Sequence, residues 1–231
     1  MNQNFTVLVT GANRGIGLEF VRQYANAGWN VLACCRDLDR AVELKVLASN
    51  APNIRLNSLD VSNFNQIENL ALSLKMESID LLINNAGLYP HSSFGDTNHH
   101  DWLRSFEVNT MGPVKMAECF YGNVASSRLK KIVSISSKMG SIEDNTSGGS
   151  YIYRTSKAAL NIAMKSLSID LRAYGIITCT LHPGWVMTEM GGPNALITKE
   201  MSVSGLRKVI ESLTIKDSGN FIGFDGKRIP W

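Results

Sequence analysis

The chain has 231 residues, a length that suits one well-buried domain and is short for two. Hydrophobic residues make up 44% of it and charged residues 19%, which is ordinary for a soluble globular protein. The net charge of +3 is small and the basic residues are scattered, so the composition argues against a nucleic-acid partner. No apolar run is long enough for a transmembrane helix, and we expect no membrane partner.

Residues 1–4 lead into an apolar run without the pattern of a signal peptide, so we expect a cytoplasmic protein. The cysteines show no C-x-x-C spacing, and two of them are adjacent in an apolar run. We therefore expect four reduced, buried thiols, Cys34, Cys35, Cys119 and Cys179. The histidines form no metal-ligand grouping with cysteines or carboxylates, which predicts no metal site; they are His91, His99, His100 and His182.

Apolar runs typical of strands alternate along the chain with stretches of helical periodicity. The predicted strands are, in chain order, Phe5–Val9, Trp29–Cys35, Ile54–Ser58, Ile79–Asn84, Lys131–Ser137, Ile176–Leu181 and Phe221–Phe224. The predicted helices cover about Leu18–Tyr24, Leu38–Ser49, Asn63–Met76, His100–Val124 with a break near Gly112-Pro113, Tyr151–Tyr174 and Lys199–Leu213. Polar loops are predicted over Leu88–Asn98 and Ile142–Ser150.

This alternation, with nearly continuous apolar strands, predicts a parallel sheet that helices cover on both faces. No repeat, low-complexity segment or linker interrupts the pattern. We therefore expect one doubly wound α/β domain with seven strands over residues 1–231. In such folds the ligand lies at the carboxyl ends of the strands, so the residues that follow each strand are the candidates for a functional site.

The first of these segments is a glycine-rich turn, Thr10-Gly11-Ala12-Asn13-Arg14-Gly15-Ile16-Gly17, between a strand and a helix. Glycine lets the backbone approach an anion without a Cβ clash, and a helix N-terminus adds its positive dipole end. The spacing G-x-x-x-G-x-G differs from the G-x-G-x-x-G of the common dinucleotide fingerprint. Taken alone, the turn indicates a phosphate site, and a glycine-rich turn without a ligand is the alternative.

Two arginines favour NADP(H) over NAD(H) as the ligand. Arg14 lies within the turn, and Arg36 directly follows the second strand, where a dinucleotide fold meets the adenosine ribose. An acidic residue there would accept bonds from a 2′-hydroxyl, whereas an arginine offers a planar donor fork to a 2′-phosphate. Asp37, one position after Arg36, weakens the preference for NADP(H). The alternative interpretation is that Arg14 and Arg36 are solvated surface charges.

Tyr153 and Lys157 are four residues apart on a predicted helix and therefore share a face. A lysine ammonium beside a tyrosine favours the phenolate, so we expect the tyrosine pKa to fall and the phenol to serve as a general acid or base. Ser137, after the fifth strand, could hydrogen-bond the same reacting oxygen. An ordinary surface pair is the alternative, and Tyr151 has no lysine four residues on.

With these landmarks in order, the whole chain resembles a classical short-chain dehydrogenase/reductase. The matching segments are Thr10–Gly17, Asn84-Asn85-Ala86-Gly87, Val108-Asn109, Ser136-Ser137, Tyr153-Arg154-Thr155-Ser156-Lys157 and Pro183-Gly184-Trp185-Val186-Met187-Thr188. The segments 190–195 and 229–231 resemble the C-factor and sniffer-like carbonyl reductase branch. The resemblance implies a Rossmann-type fold, an NADP(H) cofactor and a small carbonyl or alcohol substrate.

The resemblance also implies a role for each matching residue. The cofactor contacts that it implies are Gly11, Asn13, Gly15, Ile16 and Gly17 at the pyrophosphate, Asp60 and Val61 at the adenine, Asn85, Ala86 and Gly87 at the ribose and nicotinamide side, and Pro183, Gly184, Val186 and Thr188 at the nicotinamide. Tyr153 would protonate the carbonyl oxygen and Ser137 would orient it. Lys157 would bind the nicotinamide ribose and lower the tyrosine pKa, and Asn109 would hold a helix kink and a proton-relaying water. Simpler structural readings are a helix cap for Asn109 and Thr188 and a strand-end turn for Asp60.

Three details bear on the substrate side. Ser137 and Tyr153 are 16 positions apart, which is long for the family, and the extra residues fall within Asn145–Ser150. Ser136 is an alternative catalytic serine. We prefer Ser137, because Ser137 directly precedes Lys138. The segment after Thr188 is short for a substrate lid, so we expect an open pocket.

The sequence thus predicts an NADPH-dependent reductase of aldehydes or ketones. A dinucleotide-binding signalling or sensor protein of the C-factor type, with little turnover, is a second hypothesis, and an NAD-linked alcohol dehydrogenase is a third. Members of the family commonly pair through two helices, here about Asn109–Val124 and Tyr151–Tyr174, so we expect a homodimer or homotetramer.

Overall fold

A parallel sheet of seven strands runs through the part of the chain that the computed structural model describes, residues 4–231. The strands are β1 (Thr6–Thr10), β2 (Asn30–Cys35), β3 (Ile54–Ser58), β4 (Leu81–Asn84), β5 (Lys131–Ile135), β6 (Ile177–His182) and β7 (Phe221–Gly223). Their order is β3-β2-β1-β4-β5-β6-β7, so the winding reverses between β1 and β4. The expectation that residues 1–3 belong to no signal peptide lies outside the described residues.

Helices cover both faces of this sheet. They are α1 (Gly15–Asn26), α2 (Val42–Ser49), α3 (Phe64–Ser73), α4 (His99–Phe106), α5 (Gly112–Ala125), α6 (Tyr151–Asp170) and α7 (Lys199–Ser212). The apolar side chains of α1, α2 and α7 pack in one core, and those of α3, α5 and α6 pack in another. Successive residues of β1 enter opposite cores, with Val7 and Val9 in the first and Leu8 in the second. The predicted seven-stranded, doubly wound fold is confirmed.

The predicted start of α2 at Leu38 is wrong, because the helix begins at Val42. The Asp37 carboxylate accepts hydrogen bonds from the backbone N–H groups of Asp39 and Arg40, at 3.0 and 3.2 Å. Such an aspartate turn competes with helical hydrogen bonding. The chain after β2 therefore turns before it becomes helical.

The break predicted near Gly112-Pro113 takes the form of a π-helix that ends directly before Gly112. A π-helix covers Glu107–Met111, and α5 begins directly after it with Pro113 in its first turn, where a missing N–H costs nothing. Gly112 sits so close to the segment after β3 that a Cβ there would lie 2.8 Å from the carbonyl oxygen of Val61. Close packing, rather than a broken helix, explains this glycine.

Other bounds differ by a few residues. Helix α3 ends at Ser73 rather than Met76, and β5 ends at Ile135, so Ser136 and Ser137 follow the strand. Helix α6 ends at Asp170 and continues as a 3₁₀ turn to Tyr174, where Gly175 stops it in the left-handed region with φ 71°.

The four cysteines are free thiols, and Cys34, Cys35 and Cys179 are buried as expected. The expectation of burial is wrong for Cys119, which is partly exposed on α5. Within residues 4–231, no helix is both long and apolar enough to cross a membrane.

Candidate active site

The segments that follow β1, β4, β5 and β6 meet at one edge of the sheet, because parallel strands place their carboxyl ends together. The glycine turn follows β1 and runs into α1, as predicted. Gly11 and Gly15 both have positive φ angles, of 64° and 55°. A Cβ at Gly17 would lie 2.1 Å from the Gly11 carbonyl oxygen, so the turn requires glycine there.

Asn85 ties the glycine turn to the end of β4. Its Nδ2 donates to the carbonyl oxygens of Thr10 and Gly11, at 2.9 and 3.1 Å. In return, Thr10 Oγ1 accepts the backbone N–H groups of Asn85 and Ala86, at 3.0 and 3.1 Å. Residues from two sides of the cleft therefore hold the turn in shape. The part that Thr10 plays depends on β4 lying beside β1, which the local sequence does not reveal.

The first turn of α1 presents backbone N–H groups to this cleft. Arg14 occupies the N-cap position, and its guanidinium forms an ion pair with Glu189 instead of capping the helix. The segment after β6 thus reaches across the glycine turn, and Thr188 Cγ2 would lie 3.4 Å from a Cβ at Gly15. A turn lined by glycines and by helix N–H groups fits a pyrophosphate.

The residues after β2 and β3 lie at the same edge of the sheet as the glycine turn, on the side of β2 and β3. Arg36 is exposed, whereas the Asp37 carboxylate is engaged by its own turn and by an ion pair with Arg40 at 3.4 Å. Asp60 uses its carboxylate to accept the N–H and hydroxyl of Ser62, at 3.0 and 2.6 Å. In this structure the Asp60 side chain therefore stabilises the turn at the end of β3.

Four polar side chains form the predicted catalytic group: Tyr153 and Lys157 on α6, Asn109 on the π-helix and Ser137 after β5. Lys157 is buried, its Nζ lies 5.7 Å from the centre of the Tyr153 ring, and it donates to the Ile135 carbonyl oxygen at 2.9 Å. A Cβ at Gly87 would lie 3.3 Å from Asn109 Oδ1 and 3.6 Å from Lys157 Nζ. The segment after β4 therefore meets the catalytic group.

Ser137 and Ser136 point to different surroundings. The Ser137 hydroxyl hydrogen-bonds Tyr153, and this bond by itself acts to lower the tyrosine pKa. The same hydroxyl accepts the Met139 N–H at 3.1 Å. Ser136 is buried, and its hydroxyl donates to Asn161 Oδ1 at 2.7 Å. Of the two serines, Ser137 is the one in contact with the tyrosine.

Asn109 is buried within the π-helix, so it is not a helix cap. Its Oδ1 accepts the Leu88 N–H at 2.8 Å, and its Nδ2 donates to the Leu88 carbonyl oxygen and to Ser156 Oγ, both at 2.9 Å. The amide thereby joins the π-helix to the loop after β4 and to α6. The π-helix at this point brings the amide to its partners.

The segment after β6 is held by a second set of contacts. Pro183 accepts the Ser202 hydroxyl at 2.6 Å, and Gly184 has φ 85°. Val186 is buried and forms a parallel bridge with Ile197. Thr188 does not cap an α-helix: its hydroxyl accepts the Gly191 N–H at 3.1 Å and closes a turn.

The expectation of a lowered Tyr153 pKa is wrong for this structure. Burial raises the pKa of Tyr153 to about 12, against the opposing effect of the Ser137 hydrogen bond, and electrostatic repulsion from the ionisable hydroxyl of Tyr89 adds to the rise. Burial also lowers the pKa of Lys157 to about 8. Removal from water disfavours both charged forms, and for Lys157 it is the cause of the whole shift.

A cavity of about 520 Å³ lies at the opposite edge of the sheet, beside Phe5 and the start of β5. The buried Lys131 at its wall donates to the carbonyl oxygens of Ile210 and Glu211, at 2.6 and 3.1 Å. This lysine therefore closes the carboxyl end of α7. Within residues 4–231, the structure contains no group of three or more His, Cys, Asp or Glu side chains that could hold a metal ion.

Comparison with known proteins agrees with this geometry. A family model described as short chain dehydrogenase matches residues 5–196. The chain belongs to the short-chain dehydrogenase family. It is therefore an oxidoreductase of this family. The chain is 42% identical to C-signal of Myxococcus xanthus over 154 residues, which cover 66% of this chain and 93% of that protein.

Two solved structures of carbonyl reductases share the fold over nearly the whole chain. The NADPH-bound carbonyl reductase from chicken fatty liver superposes with a TM-score of 0.93 at 37% identity, covering 99% of this chain and 100% of that chain. The carbonyl reductase Sniffer of D. melanogaster gives a TM-score of 0.93 at 34% identity, with the same coverage. The predicted similarity to this branch of the short-chain dehydrogenase family is confirmed.

Proposed function

We propose that the protein reduces an aldehyde or ketone to an alcohol with NADPH, and that Tyr153 donates the proton. The observation that carries this proposal is the convergence of Tyr153, Lys157, Ser137 and Asn109 at the edge of the sheet where the glycine turn lies. The NADPH of the chicken carbonyl reductase supports the choice of cofactor. When bound, NADPH supplies the hydride that reduces the carbonyl carbon.

Each catalytic side chain then has one task. The Tyr153 hydroxyl hydrogen-bonds the carbonyl oxygen and gives up its proton as negative charge develops there. Ser137 donates a second hydrogen bond and fixes the orientation of the carbonyl group. Lys157 holds the nicotinamide ribose and returns a proton toward the tyrosine, and Asn109 supports the water of that relay.

The remaining residues would hold the cofactor. Glycine and helix N–H groups at Gly11, Asn13, Gly15, Ile16 and Gly17 suit the pyrophosphate. Arg14 and Arg36 suit a 2′-phosphate, and Asp60 and Val61 flank the adenine. The ribose and nicotinamide contacts are Asn85, Ala86, Gly87, Pro183, Gly184, Val186 and Thr188. NAD(H) is the less favoured cofactor, because the Asp37 carboxylate is bound within its own turn.

The test is NADPH oxidation measured with a panel of aldehydes and ketones. Tyr153→Phe removes only the proton-donating hydroxyl, so kcat should fall by about 10²–10⁴-fold. Tyr151→Phe is the matched control, because this tyrosine lies on the same helix without a lysine one turn away, and it should retain full activity. If Tyr153→Phe turns over as the natural protein does, the proposed mechanism fails.

The identity to C-signal favours one second candidate, a dinucleotide-binding signalling protein with little turnover. Under that alternative, Tyr153→Phe would keep the biological activity, whereas a substitution at Gly15 that blocks the cofactor would abolish it. Loss of biological activity in both variants would instead favour the reductase.

A further inference from the structure

The helix that carries Tyr153 begins without a cap of its own. Ser150 precedes α6 in the left-handed region, with φ 47°, and its hydroxyl lies 3.1 Å from the hydroxyl of Tyr89 rather than over the helix. The first N–H groups of an α-helix have no partner within the helix, so another group must accept them. Tyr153 is the third residue of α6, within this unsupported turn.

Ser92, in the loop after β4, supplies acceptors for two of these N–H groups. Its Oγ accepts the Ile152 N–H at 3.1 Å, and its carbonyl oxygen accepts the Ser150 N–H at 2.9 Å. Ser92 is 4% exposed, although most of its loop is open to solvent. A serine distant in the sequence therefore does what an N-cap serine does locally.

The loop that presents Ser92 is itself anchored to the catalytic group. At its start, Leu88 exchanges two hydrogen bonds with the Asn109 side chain. One residue further, the Tyr89 ring packs against the Tyr153 ring, with centres 4.5 Å apart. The Ser92 contacts thus join a fixed loop to the helix turn that carries the proposed proton donor.

We propose that Ser92 is a positioning residue for Tyr153, holding the first turn of α6 so that the phenol faces Ser137. This inference rests on the proposed carbonyl reduction. Lys157 lies one turn further along α6, where the helix supplies its own hydrogen bonds, and the glycine turn is bonded to Asn85 and Ala86 rather than to Ser92. Loss of the cap should therefore displace the phenol and leave the cofactor site in place.

The decisive variant is Ser92→Ala, which removes Oγ and keeps the backbone acceptor. We expect kcat to fall by about ten-fold, because small displacements of a reacting group are costly, while the KM for NADPH stays within two-fold of the natural value. Ser93→Ala is the matched control, because it removes a neighbouring loop hydroxyl, and its kcat should not change. A Ser92→Ala protein with kcat within two-fold of natural, or a Ser93→Ala protein with the same loss, overturns the proposal.

Amide hydrogen exchange at Ile152 provides a readout that does not depend on turnover. We expect faster exchange in Ser92→Ala and unchanged exchange in Ser93→Ala. Ser92→Thr keeps a hydroxyl. If this variant restores the slow exchange of the Ile152 amide, it should also restore kcat. Restored protection without restored kcat would contradict positioning, as would an Ile152 amide that stays protected in Ser92→Ala.

The two proposals fail in different ways. If none of the carbonyl compounds in the panel makes the natural protein oxidise NADPH, the proposed function fails. The exchange experiment still decides whether Ser92 caps α6. If the natural protein is active and Tyr153→Phe is not, an unaffected Ser92→Ala variant overturns the positioning role alone.

Discussion

Burial sets the protonation of the two proposed catalytic side chains on α6. The pKa of Tyr153 is raised to about 12 and that of Lys157 is lowered to about 8, in both cases first by removal from water. The phenol therefore keeps its proton at neutral pH, which is the form that a proton donor to a carbonyl oxygen needs. The buried ammonium, whose Nζ donates to the Ile135 carbonyl oxygen, has a cost in stability.

Lys157→Met should raise the free energy of unfolding near pH 7 while abolishing reduction. A pKa that falls from 10.5 to about 8 means that the folded protein disfavours the charged lysine by about 3 kcal/mol. Loss of the bond to the Ile135 carbonyl oxygen offsets about 1 kcal/mol, which leaves a gain of about 2 kcal/mol. Below pH 8 the gain is complete, and it shrinks as the pH rises through 10.5, above which lysine is neutral in both states.

Urea unfolding at several pH values measures this gain. Lys165→Met, at an exposed lysine of the same helix, is the control and should leave stability nearly unchanged. A Lys157→Met protein that is less stable than the natural one at pH 7 would contradict the cost assigned to the buried charge.

Arg36→Ala should weaken NADPH binding by about ten-fold or more and leave NADH binding nearly unchanged, because a charge-assisted bond to the 2′-phosphate would be lost. Titration of cofactor fluorescence measures both affinities. Arg40→Ala is the matched control: its side chain is 90% exposed and pairs with Asp37. Equal weakening for both cofactors would argue against a 2′-phosphate contact.

At the scale of elements, the glycine turn and the π-helix are shaped by their neighbours. The turn is bonded to Asn85 at the end of β4, and the π-helix places the Asn109 amide against Leu88 and Ser156. Each device links segments that are far apart in the chain. Hydrogen bonds between segments that follow different strands therefore hold the site together.

Gly17→Ala should destabilise the protein by about 1–3 kcal/mol and abolish cofactor binding, because the new Cβ would fall 2.1 Å from the Gly11 carbonyl oxygen. Thermal unfolding and NADPH titration measure the two effects. Gly122→Ala on α5 is the control: a Cβ there meets no described atom within 4 Å, and alanine should stabilise this helix by about 0.5–1 kcal/mol. If Gly17→Ala bound NADPH normally, the close approach would not be essential.

At the scale of the whole molecule, the outer surface of α5 and α6 carries apolar side chains that the fold leaves exposed. Ile162 and Ile169 on α6 are 64% and 66% exposed, and Tyr121 on α5 packs against Tyr174 at the surface, with ring centres 5.3 Å apart. Isolated exposed apolar residues are ordinary, but a row of them on neighbouring helices marks a surface suited to association. We expect the homodimer or homotetramer to form through this surface.

Light scattering of the natural protein should give the mass of a dimer or tetramer, and Ile162→Glu combined with Ile169→Glu should reduce it to that of a monomer. Charges at a subunit interface must be removed from water, which opposes association. Val42→Glu on α2 is the control, because Val42 is 65% exposed on a different helix. A monomeric natural protein would refute the expectation.

The sequence by itself determined the elements whose signals are local. The apolar run before Thr10 predicted β1, the spacing of Gly11, Gly15 and Gly17 predicted the turn, and helical periodicity placed Tyr153 and Lys157 on one face of α6. These features depend on residues within a few positions of one another. Short-range geometry of the chain is enough to predict them.

Only the tertiary structure decided how distant segments act on these elements. The direction of the Tyr153 pKa depends on burial, which no spacing reveals, and the cap of α6 depends on Ser92, which lies 60 residues before Ile152. The π-helix likewise lies where Leu88 donates to and accepts from the Asn109 amide and where Ser156 accepts from it. Burial and long-range hydrogen bonds arise from packing the whole chain, and so they could not be read from local sequence patterns.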